Sequence, residues 1–168
     1  MTDRLARAAE DGDVAAVARL LSDGAAVDGL GGDGRSALDL AVHAGHVDVV
    51  RVLLDAGADP RQRACVYDEV TPLGLAAMYG YVAVAELLLD AGATTGAQGR
   101  LNTPPLMLAA TSGEYGHPQM VDLLLRRGAD LGEVKRGRTP LEWAAAFGNV
   151  RMVHHTCSPG ARRRPRRR

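Results

Sequence analysis

The clearest candidate for a reactive site in this sequence is a glycine-rich run at residues 29–36. It reads Gly-Leu-Gly-Gly-Asp-Gly-Arg-Ser, which satisfies GxGxxG and, with Arg35 in place of lysine, GxxxxGK[ST]. Both spacings cradle phosphate groups when a buried strand precedes the loop and a helix follows it. Residues 23–28 (Asp-Gly-Ala-Ala-Val-Asp) do not read as such a strand. We therefore predict a hairpin loop in which glycines supply positive φ angles.

A second group of reactive side chains lies near the C-terminal end, where His154, His155 and Cys157 could bind a metal ion. Adjacent histidines seldom converge on one ion, and no CxxC or HxxxH spacing supports them. The two cysteines of the chain, Cys65 and Cys157, form no disulfide framework. We therefore predict neither a metal site nor a bound cofactor.

No set of residues with catalytic spacing can be assembled from the sequence. Neither a Ser/His/Asp nor a Cys/His arrangement is apparent, and no pair of carboxylates stands out. His43 has a predicted surface position, whereas His46 and His117 each follow a helix-ending glycine. An active site needs several groups in defined roles, so we expect a protein without enzymatic activity.

The strongest local charge is the run RRRPRRR at residues 162–168. Runs of like charge are usually disordered and often serve as interaction tails, so we predict a disordered Arg-rich tail over residues 158–168. The whole chain has 20 basic and 20 acidic residues, which leaves the part before this run mildly acidic. Binding of nucleic acid or an anionic surface by the tail is the alternative function that these residues leave open.

The elements that must position any functional residue follow from a repeated phrase. Leu5, Leu38, Leu73, Leu106 and Leu141 each begin an alanine-rich stretch, at steps of 33, 35, 33 and 35 residues. A glycine follows each stretch, and the first four copies continue into a leucine-rich run that closes in Gly-Ala. A period in this range is typical of a solenoid.

The third copy of the phrase shows how one repeat should fold. Thr71 can cap a first helix with its hydroxyl, and Pro72 is tolerated just inside that helix. Gly80 should end this helix, a second helix should begin near Val82, and Gly92 should close the second one. Neither helix could bury its apolar stripe alone, so the repeats must stack on one another.

These motifs resemble the ankyrin repeat, whose pattern is Thr-Pro-Leu-His-x-Ala-Ala, then Gly-His, then Val-Val-x-Leu-Leu-Leu, then Gly-Ala-Asp. The matching segments are residues 71–73 and 139–141, 45–46 and 116–117, 49–54, and 57–59 and 128–130. The resemblance covers about residues 4–153 and implies an all-α ankyrin-repeat solenoid of about five repeats. These repeats are expected near residues 4–28, 34–60, 69–94, 102–130 and 137–157, the last incomplete, in a domain spanning residues 1–157.

The chain departs from the family pattern in several places. The histidine after the leucine of the phrase is missing in every repeat, so its hydrogen bonds must be lost or replaced. The residues in its place are Ala6, Asp39, Gly74, Met107 and Glu142. Repeat four has Pro104 where threonine is usual and about three extra residues near 112–115. In repeat five, polar residues at 154–157 replace the expected leucines, so we expect a poorly packed last half-repeat.

The resemblance also implies a concave surface, made of the loop tips and the outward positions late in each first helix. We predict that the chain is a protein–protein interaction module that binds a protein partner on this surface and acts as a rigid scaffold. The candidate partner-binding residues are Asp33, Arg35, His43, Tyr67, Asp68, Met78, Tyr79, Arg100, Tyr115, Arg136 and Phe147. Four of these are aromatic, and exposed tyrosine is enriched at binding hot spots. The surface should change from acidic in repeat one to basic in repeat five.

The first residues of the chain and its hydropathy bear on its location in the cell. Residues 1–10 are charged throughout and lack the apolar core of a signal peptide. No apolar run approaches the roughly 18 residues that a membrane span requires. We therefore expect a cytoplasmic, monomeric protein that makes no contact with a membrane.

Overall fold

The computed structural model describes residues 1–62, 70–97, 103–113 and 116–149. Within these ranges the chain forms nine short α-helices, and two isolated antiparallel bridges lie in the turns between them. The helices are α1 Thr2–Glu10, α2 Val14–Ser22, α3 Ala37–Ala44, α4 Val47–Asp55, α5 Pro72–Tyr79, α6 Val82–Asp90, α7 Pro105–Thr111, α8 Pro118–Arg126 and α9 Pro140–Ala146. Helices α1 to α8 make four consecutive pairs, and α9 is the first helix of a fifth repeat. The predicted all-α solenoid is confirmed.

The helices stack in two rows. The first helices of the repeats (α1, α3, α5, α7 and α9) each contact the next one, and the second helices (α2, α4, α6 and α8) do the same. Leucines at one repeated position of the second helices are buried in the core, namely Leu20, Leu53, Leu88 and Leu124. Because each repeat packs only on its neighbours, the core is a continuous strip along the array.

The start of each first helix depends on the residue that precedes it. As predicted, Thr71 caps α5: its Oγ1 accepts a hydrogen bond from the backbone N–H of Gly74 at 3.1 Å. Pro72 occupies the first position of that helix. Helix α7 has no side-chain cap, because Pro104 stands at its capping position and has no side-chain acceptor. Repeat four therefore begins its first helix without a stabilising bond that repeat three has.

The predicted helix ends are also confirmed in repeat three. Gly80 ends α5 with a φ of +72°, α6 begins at Val82, and Gly92 follows α6 with a φ of +99°. Helix α7 ends differently, at Ser112 in an extended conformation, where the extra residues of repeat four begin. Residues 150–157, which include the expected poorly packed half-repeat, lie outside the described residues.

Two carboxylates occupy the position of the missing family histidine and cap their own helices. In repeat two, Ser36 Oγ donates to Asp39 Oδ2 at 2.8 Å, and the backbone N–H of Asp39 donates to Ser36 Oγ at 3.1 Å. In repeat five, Thr139 and Glu142 form the same reciprocal pair, with Thr139 Oγ1 donating at 2.9 Å. Such capping boxes satisfy backbone groups that a helix start leaves without partners. The lost histidine bonds are thus replaced in these two repeats.

A further contact between repeats recurs at the residue after the glycine that follows the first helix of a repeat. Three of these side chains bond to a carbonyl near the end of the preceding first helix: His46 to Glu10 (3.0 Å), His117 to Met78 (2.9 Å) and Asn149 to Ala110 (2.9 Å). The last carbonyls of a helix have no intrahelical partner, so these bonds satisfy them. They also tie three of the first helices, α1, α5 and α7, to the next repeat.

Candidate partner-binding surface

The glycine-rich run at residues 29–36 forms a hairpin between α2 and α3. Leu30 and Ser36 make an antiparallel bridge, and the N–H of Gly31 donates to the carbonyl of Arg35 at 2.8 Å. Gly34 takes a positive φ of 75° at the turn. A helix-ending turn rather than a strand precedes the run, so the strand–loop–helix context of a phosphate-binding loop is missing. The predicted hairpin is confirmed.

The tip of this hairpin carries a paired acid and base. Arg35 Nε donates to Asp33 Oδ2 at 2.6 Å, and the N–H of Arg35 donates to Asp33 Oδ1 at 3.1 Å. The side-chain bond from Arg35 is the main reason that the pKa of Asp33 lies below its usual value. The tip therefore presents two fixed polar groups whose charges offset each other.

Three ring side chains from repeats two and three form what we call the aromatic cluster: His43, Tyr79 and Tyr81. The rings of His43 and Tyr79 meet edge-on with centroids 5.6 Å apart, and those of Tyr79 and Tyr81 stack at 5.6 Å. The hydroxyl of Tyr79 lies 3.5 Å from His43 Nε2. Tyr79 is 41% exposed, so the cluster offers aromatic surface to solvent.

A shallow cleft joins the hairpin tip to the aromatic cluster. Arg35, Asp39 and His43 line its wall in repeat two, while Pro72 and Leu75 line its wall in repeat three. The cleft combines a charged rim with an apolar side, and it is small, with room for about one water-sized group.

The two capping carboxylates, Asp39 and Glu142, have pKa values shifted in opposite directions, because only Asp39 is buried. Asp39 is buried, and desolvation raises its pKa even though Ser36 donates hydrogen bonds to it. Glu142 is exposed, and the backbone and side-chain bonds from Thr139 lower its pKa. The same capping box is therefore accompanied by a raised carboxylate pKa in repeat two and a lowered one in repeat five.

These shifts predict opposite pH dependences for two matched variants. Folding favours protonated Asp39, so its contribution to the free energy of unfolding falls as the pH rises above the usual value of 3.8. Folding favours ionised Glu142, so its contribution is lost as the pH falls through and below 4.5. With rising pH, Asp39→Asn should gain stability relative to the native chain, and Glu142→Gln should lose it. Thermal denaturation between about pH 3 and pH 7 measures both slopes; slopes of the same sign would contradict the burial argument.

Repeat five presents a second aromatic surface. The rings of Trp143 and Phe147 stack at 5.8 Å, and the guanidinium carbon of Arg138 lies 5.3 Å from the Trp143 ring centroid. Trp143 Nε1 donates to the carbonyl of Lys135 at 3.1 Å, which fixes the ring against the hairpin before α9. Phe147 is 63% exposed.

The structure groups the sequence-predicted site residues unevenly. Asp33, Arg35, His43 and Tyr79 lie around the cleft of repeats two and three, with Met78 half-buried against the core behind them. Arg136 and Phe147 lie in repeat five. Tyr67, Asp68, Arg100 and Tyr115 lie outside the described residues.

Sequence reasoning missed two members of these surfaces, Tyr81 and Trp143. Tyr81 follows the helix-ending Gly80, so it shares the repeat position of His46 and His117. That shared position was the signal that could have placed it against the preceding repeat. Trp143 follows Glu142 in the alanine-rich phrase, and nothing in the local pattern indicates that it stacks on Phe147.

Metal binding and membrane spanning concern only the residues that the structure describes. Within those ranges, no group of three or more His, Cys, Asp and Glu side chains is placed to hold a metal ion. None of the helices in the same ranges is both long and apolar enough to cross a membrane.

Comparison with known proteins assigns the chain to a family. The family model for ankyrin repeats, which describes three copies of the repeat, matches residues 4–64 and again residues 73–162. No curated protein matches the chain. Domains of this family are generally protein–protein interaction modules and typically lack catalytic activity. With helix pairs stacked in register and a family match over nearly its whole length, the chain belongs to the ankyrin-repeat family.

Proposed function

We propose that this chain binds a protein partner on the concave face formed by the first helices and the hairpin tips of repeats two and three. The observation that carries the proposal is the exposed aromatic cluster, which lies beside the cleft and the Asp33–Arg35 tip. Tyrosine supplies a large contact area at a small cost in side-chain entropy and is enriched at hot spots.

The scaffold beneath the cluster supports this proposal. Helices α3 and α5 begin at side-chain caps, and both end at left-handed glycines, Gly45 and Gly80. His117 also bonds to the carbonyl of Met78 near the end of α5. A surface ordered in this way before binding loses little conformational entropy when a partner docks.

The test uses a double variant of the aromatic cluster, His43→Ala/Tyr79→Ala. We expect it to lose at least about 2 kcal/mol of binding free energy, roughly a thirtyfold loss of affinity. Affinity capture from cell lysate with quantitative mass spectrometry identifies the partner, and calorimetry with that partner measures the loss.

The matched control is Arg51→Ala/Glu86→Ala, which changes exposed residues on α4 and α6 in the second row of helices. It should capture the same partner as the native chain. A partner held equally by the native chain and the cluster variant would refute binding at the aromatic cluster and its cleft.

The alternative function, binding of nucleic acid or an anionic surface through residues 162–168, makes a different prediction. Attraction by the six arginines of this segment should weaken steeply with added salt, because bound counterions are released. For the chain as a whole we propose a repeat domain over residues 1–157 and an Arg-rich tail over residues 158–168.

A further inference from the structure

A basic hairpin precedes α9, and we call its residues 134–138 the arginine hairpin. Lys135 and Arg138 exchange backbone hydrogen bonds of 2.9 and 3.1 Å across it. The two turn residues, Arg136 and Gly137, have φ angles of +51° and +77°. A two-residue turn with positive φ at both positions favours Asn-Gly or Gly-Gly. Arginine is therefore an unexpected residue at the first of these positions.

Arg136 is the one residue other than glycine with a positive φ in the described part of the chain. A long side chain such as that of arginine is strained at positive φ, relative to asparagine or glycine. Strained residues persist mostly where the side chain serves a function. The backbone at Arg136 therefore points to a use for its guanidinium, which is exposed at the tip.

The acids closest in sequence to the arginine hairpin form hydrogen bonds with backbone groups, although the charge of Arg138 also helps to lower the pKa of Glu142. Glu133 Oε1 accepts the N–H of Ala97 at 2.8 Å, and Glu142 Oε2 accepts the N–H of Thr139 at 2.7 Å. Across the described ranges, neither Arg136 nor Arg138 lies within ion-pair distance of a carboxylate.

The hairpin of repeat two is the opposite case. There Asp33 pairs with Arg35 at 2.6 Å and offsets its charge. The hairpin of repeat five contains no acid between residues 134 and 138, and both of its arginines, Arg136 and Arg138, are exposed.

Apolar surface lies directly beside these cations. Phe147 stacks on Trp143, and Trp143 lies under the guanidinium of Arg138. Val134 is 59% exposed and Phe147 is 63% exposed, the latter among the most exposed large apolar side chains described. Phe147 stands six residues after Leu141, as Tyr79 stands six residues after Leu73, so it occupies the same repeat position.

We propose that the arginine hairpin and Phe147 bind an acidic peptide segment that carries an aromatic or aliphatic residue beside its carboxylates. Guanidinium groups bind carboxylates through paired, charge-assisted hydrogen bonds. The apolar residue of the segment covers the exposed ring of Phe147. The proposal rests on the proposed function, because the segment belongs to a protein partner docked on the same face.

A short acidic segment fits this site better than a nucleic-acid strand. A polyanion that continued along the first helices would meet Glu10 and Asp11 in repeat one, both exposed. It would find no charged side chain on α5 or α7, whose sequences are entirely uncharged. The uncharged helices α5 and α7 therefore separate the arginine hairpin from the charged residues of repeats one and two, and an extended polyanion would find no continuous row of cations along the first helices.

Fluorescence anisotropy with a fluorescein-labelled peptide of alternating glutamate and phenylalanine tests the site. The variant is Arg136→Asn/Arg138→Gln in the full-length chain, and asparagine suits the left-handed turn. We expect binding of the peptide to weaken about tenfold. The thermal midpoint of the variant should be unchanged or higher, because the strain at residue 136 is relieved. A peptide with glutamine in place of glutamate should not bind.

The matched control is Arg51→Gln/Arg126→Gln, which removes two exposed arginines from the second row of helices and should leave peptide binding unchanged. Because the arginines at residues 162–168 also attract acidic peptides, every variant is measured again with these six replaced by glutamine. Equal weakening by the control, or no weakening by Arg136→Asn/Arg138→Gln in this second background, would overturn the proposal. The proposal would also be overturned if a single-stranded oligothymidylate bound more tightly than the peptide and Arg136→Asn/Arg138→Gln abolished that binding.

The result is separable from the proposed function. The peptide should bind His43→Ala/Tyr79→Ala as well as it binds the native chain, because the aromatic cluster is formed by repeats two and three. If the partner remains bound to that cluster variant, the proposal that repeats two and three bind it is refuted. Peptide binding still decides the role of the arginine hairpin.

Discussion

Replacing Leu88 with alanine is expected to lower the free energy of unfolding by about 3–4 kcal/mol. Leu88 lies in the last turn of α6 and is fully buried, and α6 packs between the neighbouring second helices α4 and α8. Truncation removes apolar contacts and leaves a cavity that repeats on both sides prevent from collapsing. Urea denaturation followed by circular dichroism measures the change in unfolding free energy.

Leu20 is the matched control, because it occupies the position of Leu88 in repeat one. Its helix α2 has a neighbour on one side only, α4, so the terminal repeat can relax into part of the space. Leu20→Ala should therefore cost about 2 kcal/mol, less than Leu88→Ala. Equal costs at the two positions would show that stacking on both sides adds nothing to the stability of a repeat.

Replacing Gly80 with alanine is expected to cost about 2–4 kcal/mol, through two effects at one position. The φ of Gly80 is +72°, which an alanine adopts only with strain. A Cβ at Gly80 would also overlap with Nδ1 of His117. To make room, the His117 ring would have to give up its bond to the carbonyl of Met78. Both repeats three and four are then loosened, which thermal and urea denaturation detect.

Gly92 separates the two effects. It has a φ of +99°, but no atom lies within 4 Å of a Cβ built there. Gly92→Ala therefore reports backbone strain alone and should cost about 1–2 kcal/mol. If the two variants were equally destabilised, the contact between His117 and the end of α5 would not contribute to holding the repeats together.

The fold could be predicted from the sequence because each repeat is encoded by short local patterns. Thr71 and Pro72 start a helix, Gly80 ends it, and Gly92 closes the next one, all through backbone groups within a few residues. Five copies in register then require stacking, since no copy can bury its apolar stripe alone.

The candidate surface was predicted only in part. The register placed Tyr79 and Phe147 on the exposed side of their helices, and both are exposed. It could not predict that Tyr79 stacks on Tyr81, or that Phe147 stacks on Trp143, because ring contacts depend on side-chain rotamers. The left-handed backbone of Arg136 was equally hidden, since the local pattern predicts asparagine or glycine there.

By itself, the sequence determined where helices begin and end, how many repeats occur and which family the chain resembles. These properties depend on hydrogen bonds and steric limits between residues close together in the chain. Only the tertiary structure decided which residues meet across repeats, such as His43 and Tyr79, 36 positions apart. It also gave Asp39 and Glu142 opposite pKa shifts in the same motif, because burial depends on the packing of neighbouring repeats.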